Sequence, residues 1–157
     1  MHDQDQDTTD FQKSLAWLRA FAPQITTVYI LGAPGGRFDH SMAAIHTLYI
    51  NPDIKLYLVS NESIAFLLLP GPRHVIQVDT QIQGPTCGLL PVGSEDVSME
   101  TEGLKWNLDS SMPLQFGKLV SSSNAFDVCP SESTRHTVHA TTNKPIVFTV
   151  QIDLSKV

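Results

Sequence analysis

Ahead of Pro70-Gly71-Pro72 the apolar residues recur at helical spacing, and after it they alternate. A helix-period pattern does not sit as a strand, nor an alternating one as a helix, so this chain needs two kinds of layer. In the first part Phe11, Leu15, Leu18 and Ala22 form one apolar stripe, closed by Pro23. Residues 25–31 read as a buried strand, Met42, Ile45, Leu48 and Tyr49 as the inner face of a second helix ending before Pro52, and residues 54–59 as another strand. Helix and strand alternating through short connections predict parallel pairing. Two strands do not make a stable parallel sheet, so either residues 64–69 join them or the layer leans on something else. In the second part short β-type runs fall at 75–78, 88–91, 97–101, 104–108, 117–121, 137–141 and 146–152, parted by Gly84-Pro85, Gly93-Ser94, Glu102-Gly103 and Asp109-Ser110-Ser111. Such spacing predicts an antiparallel sandwich or barrel. The expected fold class is α/β plus all-β, with a partial parallel α/β layer over residues 1–69 and an antiparallel β-sandwich over residues 70–157.

Between the first strand and the second helix stands Gly32-Ala33-Pro34-Gly35-Gly36-Arg37-Phe38-Asp39-His40. Glycines let the backbone approach a ligand, and the amides opening a helix favour an anion. Arg37 can fork two donors onto phosphate oxygens, and Asp39 can hold a divalent metal beside them. The competing reading is that these glycines serve only tight strand-to-helix packing. Upstream, Asp5, Asp7 and Asp10 precede the first helix, where Thr9 followed by Gln12 fits a capping box. An acidic helix entrance complements the helix dipole. Asp5 and Asp7 lie before the cap, where alternate positions of an extended segment point the same way, which suits a shared metal.

A formal charge of −6 argues against a nucleic-acid partner and suits a cationic or metal-bridged one. The two cysteines, Cys87 and Cys129, form no C-x-x-C pair and predict reduced thiols in an intracellular compartment. The acidic start Met1-His2-Asp3-Gln4-Asp5 is unlike a signal peptide. The longest apolar run, residues 64–69, is about a third of a membrane span. No membrane and a cytoplasmic location are therefore expected. The histidines show no paired metal spacing: His136 and His139 read as exposed strand positions, and His40 alone adjoins the glycine turn.

Four motifs in order, Asp5-Gln6-Asp7-Thr8-Thr9-Asp10-Phe11, Gly35-Gly36-Arg37-Phe38-Asp39-His40, Gly103-Leu104-Lys105-Trp106-Asn107-Leu108 and Leu119-Val120-Ser121-Ser122-Ser123-Asn124, give the chain its likeness. It resembles the eukaryotic-type thiamine pyrophosphokinases from about residue 4 onward. The resemblance implies an α/β nucleotide-binding layer followed by a β-sandwich, in a homodimer. It implies transfer of pyrophosphate from ATP to the hydroxyl of thiamine, releasing AMP, with Mg²⁺ as cofactor. Asp5, Asp7 and Asp39 would ligate Mg²⁺, with Asp7, Asp39 and Arg37 the catalytic set. Thr9, Asp10, Gly35, Gly36 and Arg37 would bind the nucleotide, with Lys13 lining the same pocket. Trp106, Ser121, Ser123 and Asn124 would bind thiamine, an aromatic cation suited to a flat ring. Alternation places Leu104, Trp106 and Leu108 on one strand face, which favours a core role for Trp106; a place at a sandwich edge satisfies both readings. Family members carry a further α/β segment ahead of the Asp-Gln-Asp motif that has no counterpart in this sequence. The alternative function is accordingly a non-catalytic remnant that folds and dimerises, with or without thiamine binding; a general nucleotide or metal module is a third.

Overall fold

The capping box at Thr9 forms as its residues predict. Thr9 Oγ1 accepts from the Gln12 amide and the Thr9 amide donates to Gln12 Oε1, each at 3.2 Å. The computed structural model describes residues 9–128, 134–153 and 155, so Asp5, Asp7 and Cys129 lie outside the described residues. The helix that follows is α1 (Asp10–Phe21), and β1 (Thr27–Leu31), α2 (Phe38–Ile50) and β2 (Lys55–Val59) continue the chain. Phe11, Leu15 and Leu18 of α1 pack with Ala44, Ile45 and Leu48 of α2 and with Val28, Ile30, Leu56 and Leu58 of the strands. Both helices therefore cover one face of β1 and β2, which pair in parallel with Thr27 opposite Lys55 and Leu31 opposite Val59.

Residues 64–69 do join this layer, but as an antiparallel strand. β3 (Ser63–Leu68) turns back on β2, with Leu58 opposite Ala65. The three residues between them suffice for a hairpin, whereas a parallel return needs a crossover of a dozen or more residues. The remaining strands are β4 (His74–Asp79), β5 (Gln83–Leu90), β6 (Met99–Glu102), β7 (Ser121–Ala125), β8 (Arg135–Thr142) and β9 (Ile146–Ile152). β3 pairs along its whole length with β9, from Ser63 opposite Gln151 to Leu68 opposite Ile146. The result is one six-stranded sheet, β1-β2-β3-β9-β5-β7, and a three-stranded sheet, β4-β8-β6. The two sheets enclose a core of Leu68, Val78, Leu89, Met99, Val138, Ile146 and Phe148, so the sandwich grows directly out of the parallel pair.

An aromatic row crosses the sheet in register. Phe148 contacts Phe66 at 5.4 Å between ring centroids, Phe66 contacts Tyr57 at 5.1 Å, and Tyr57 stacks on Tyr29 at 4.9 Å. Phe148 is fully buried, but Tyr29 at the β1 edge is 63% exposed and its neighbour Leu31 is 80% exposed.

Three local expectations are corrected. Residues 104–108 are not a strand. Asn107 Oδ1 accepts from the Leu104 amide at 3.1 Å, a local bond that competes with a sheet ladder and turns the chain at Lys105 and Trp106. Residues 117–121 are mostly a turn, closed by a bridge between Gln115 and Leu119, and the strand begins only at Ser121. Gly84-Pro85 is not a turn but lies inside β5, where a side chain at Gly84 would strike the Phe126 ring at 2.8 Å.

Candidate functional site

Arg19, in the last turn of α1, reaches Asn51 Oδ1 at 2.6 Å and both oxygens of Asp53 at 2.7 and 2.9 Å. Asn51 caps the C-terminus of α2, and Asp53 precedes β2. That cluster gathers the C-terminal ends of both helices at the amino ends of the strands. Both helix N-termini therefore lie at the carboxyl edge of the parallel pair, where open α/β sheets bind ligands. Phe11 of α1 and Ala33 of the glycine turn both pack against the core between the helices and the strands.

The turn is built for access. Gly32, Gly35 and Gly36 have φ of 75°, 132° and 69°, and a side chain at any of them would meet nothing within 4 Å. Tight packing does not explain these glycines; positive φ beside open space does. The Gly32 amide continues the ladder to the Val59 carbonyl at 2.7 Å, and the Gly35 amide donates to Ser41 Oγ at 3.1 Å. Arg37 N-caps α2 without a side-chain capping bond. Its guanidinium forks onto Asp39, Nε to Oδ1 at 3.1 Å and Nη2 to Oδ2 at 2.5 Å. That fork holds the exposed Asp39 carboxyl below its ordinary range. Thr9 and Asp10 stand at the α1 N-terminus, and the Asp10 carbonyl accepts from Ser14 Oγ at 2.8 Å.

Among the described residues no group of three His, Cys, Asp or Glu side chains is placed to hold a metal. Asp39 still fits Mg²⁺: it is an exposed, ionised oxygen donor beside an open, amide-rich turn, and Mg²⁺ keeps several waters and needs few carboxylates. Asp5 and Asp7, which precede α1, lie outside the described residues.

Trp106 is held in an unusual manner. The residue is 55% exposed, whereas Leu104 and Leu108 beside it are buried. The ring thus turns away from the core that alternation assigned to it. Asn124, 3% exposed on β7, donates to the Trp106 carbonyl at 2.7 Å and accepts from the Trp106 amide at 3.3 Å. The Lys105 amide donates to the Ala125 carbonyl at 2.8 Å, and Lys105 Nζ stands 4.8 Å from the Trp106 ring centroid. Ser121 is half-buried and Ser123 is exposed on the same strand, which forms the outer edge of the sheet. His136, expected as an exposed strand position, lies on β8 but is half-buried and bonded to the Gly103 carbonyl at 2.6 Å, anchoring the base of the Trp106 turn. Asn107 and His136 shape this site beyond the residues that the sequence pattern points to; for Asn107 the signal in the sequence is an Asn closing a Gly-x-x-x-Asn turn.

A separate cleft of about 680 Å³ opens at the amino ends of the strands, lined by Asp53, Lys55, Tyr57, Phe66, Arg73 and His74. Neither the glycine turn nor Trp106 borders it.

The family model described as "Thiamin pyrophosphokinase, catalytic domain" matches residues 1–58, including the glycine turn, and that described as "Thiamin pyrophosphokinase, vitamin B1 binding domain" matches residues 73–147, including the Trp106 turn. The chain belongs to the thiamine pyrophosphokinase family. A thiamine pyrophosphokinase of Oryza sativa is 38% identical over 152 residues, covering 94% of this chain and 54% of that protein. The thiamin pyrophosphokinase structure from Candida albicans superposes with a TM-score of 0.71 at 26% identity, over 88% of this chain and 51% of that one. The yeast thiamin pyrophosphokinase structure gives a TM-score of 0.69 at 31% identity, over 82% and 41% respectively. The chain therefore spans about half the length of these thiamine pyrophosphokinases. No described helix is long and apolar enough to cross a membrane.

Proposed function

We propose that this chain works as a Mg²⁺-dependent thiamine pyrophosphokinase, transferring pyrophosphate from ATP to the thiamine hydroxyl and releasing AMP. The observation that carries the reading is the exposed ring of Trp106 on a backbone locked by hydrogen bonds, because neither packing nor a strand role accounts for it. An aromatic cation over that face gains about 0.5–2 kcal/mol. Ser121 and Ser123 supply polar groups for the aminopyrimidine, with Asn124 in the same site.

The phosphate chain of ATP lies at the glycine turn in this reading. Asp39, with Asp5 and Asp7, would hold Mg²⁺, which would supply positive charge to neutralise the phosphate chain. Arg37 exchanges its fork on Asp39 for phosphate oxygens, a like geometry of two parallel donors. The Gly35 and Gly36 amides and the α2 N-terminus add fixed donors, and Thr9, Asp10 and Lys13 line the approach. The thiamine hydroxyl loses its proton to water and its oxygen bonds to the β-phosphorus as the bond to the AMP oxygen breaks, so positioning and charge stabilisation do the work and no protein nucleophile is needed.

The two half-sites belong to different edges of the sheet: the glycine turn follows β1, and Trp106 is clamped to β7. With four strands between and about 4.8 Å per step, they are separated by roughly 24 Å. Thiamine does not bridge that distance, so a second copy supplies the other half and the working form is a homodimer. Residues 1–69 then form the ATP- and Mg²⁺-binding part and residues 70–157 the thiamine-binding part. A cytoplasmic location belongs to the same reading, supported by the free, buried Cys87. Mixing Asp39→Asn with Trp106→Ala chains, at a thiamine concentration where neither turns over measurably alone, tests this arrangement. Heterodimers with one intact composite site restore about a quarter of parental turnover after equal mixing; no recovery from a mixture shown to exchange subunits refutes a shared site.

A further inference from the structure

Asn124 has no hydrogen-bonding capacity left for a ligand. Its Nδ2 donates to the Trp106 carbonyl at 2.7 Å and to Ser121 Oγ at 3.2 Å; its Oδ1 accepts from the Trp106 amide at 3.3 Å and from the Ala125 amide at 2.8 Å. A carboxamide offers two donors and two acceptor positions, and all four are engaged within the protein. It is also nearly fully buried, on the strand whose neighbours Ser122 and Ser123 are exposed.

The pair of bonds to the Trp106 peptide imitates a bridge between strands. It extends the single antiparallel bridge of Leu104 with Phe126 and the bond from the Lys105 amide to the Ala125 carbonyl. The far side of the turn is held by Asn107, which accepts from the Leu104 amide at 3.1 Å and from Thr101 Oγ1 at 3.3 Å, while Thr101 Oγ1 accepts from the Leu108 amide at 2.8 Å. Trp106 is more than half exposed while its peptide is fully bonded, so the place of its ring is set by its backbone. Lys105 Nζ already stands over the ring at 4.8 Å from its centroid, so a cationic ligand has to displace it from that face or use the other.

We infer that Asn124 is a positioning residue: it clamps the Trp106 peptide so that the ring is presented to a cationic aromatic ligand, without touching that ligand. This rests on the thiamine reading above and assigns a role within it. Immobilising the ring before binding removes ordering cost from the binding step.

Trp17 and Trp106 are the two tryptophans, so Trp17→Phe leaves Trp106 as the sole tryptophan, excited apart from the tyrosines at the red edge. In that background Asn124→Ala lowers the fluorescence anisotropy of Trp106 in the ligand-free protein and weakens thiamine binding, read by Trp106 quenching, about tenfold. Far-UV circular dichroism checks the fold. If Asn124→Ala folds poorly, Asn124→Asp carries the comparison, since it keeps size and an acceptor for the Trp106 amide but lacks the donors. Weakened thiamine binding with parental anisotropy overturns the clamp in favour of direct contact, and parental values of both overturn it outright. A parent that binds no thiamine refutes the thiamine reading alone, and the anisotropy still decides the clamp.

Discussion

Gly103→Ala is the perturbation whose size the structure specifies most fully. Gly103 has φ +86°, and an added Cβ would stand 2.5 Å from the Thr137 carbonyl oxygen and 3.2 Å from His136 Nε2. Left-handed backbone costs a non-glycine residue about 1–2 kcal/mol. The contact with backbone oxygen forces β6 and β8 apart near Glu102 and His139, an overpacking strain of about 1–3 kcal/mol. Together these give roughly 2–5 kcal/mol, which at ~2–4 °C per kcal/mol lowers the melting temperature by about 4–20 °C. Gly117→Ala is the control, because its φ of +85° is nearly the same and its Cβ would meet nothing within 4 Å. It carries the backbone term alone, about 1–2 kcal/mol. Denaturant titration of the two variants beside the parent isolates the steric part by difference. Equal losses in both, or a Gly103→Ala protein as stable as the parent, refute the close approach of the Trp106 turn to β8.

Burial pushes the Cys87 thiol up to about 12, from an ordinary value of about 8.5. The folded state therefore keeps a proton that the unfolded chain releases: the associated stability is complete below about pH 8.5 and is lost as pH rises through about 12. Cys87→Ala flattens that alkaline slope, and mass spectrometry of the Cys87 peptide at pH 8 shows alkylation only at the rate of opening; alkylation as fast as a free thiol contradicts the burial. At the β1 edge Leu31 and Tyr29 present apolar surface beside unpaired strand backbone, a template for self-association. Leu31→Lys lowers concentration-dependent light scattering without lowering the melting temperature, and unchanged scattering locates association elsewhere.

Local patterns carried the first part of the fold. The apolar stripe with its Thr9 and Gln12 cap predicted α1, and the turn between apolar segments placed Gly35, Gly36, Arg37 and Asp39 at a helix start. What local pattern lacks is pairing partners far apart in sequence. Nothing in residues 63–68 announces that they bond to residues 146–151, yet that pairing fuses the parallel pair to the sandwich. β7 was illegible for another reason. Serines and an asparagine have weak strand preference, and they pair with β5 where Gly88 leaves room: a Cβ there would stand 3.2 Å from the Ser121 carbonyl. Alternation misread Trp106, because Asn107 and Asn124 bond to backbone and override the period of two. The type of site residue was readable, but the division of labour between an exposed ring and a buried amide was not.

The measurement that tests the account most directly is AMP release from ATP and Mg²⁺ by the purified 157-residue chain, with and without thiamine, beside Asp39→Asn. The account predicts AMP only when thiamine is present, in equal amount to thiamine diphosphate, and none above background from the variant. A folded, dimeric chain that binds thiamine and ATP yet releases no AMP contradicts it.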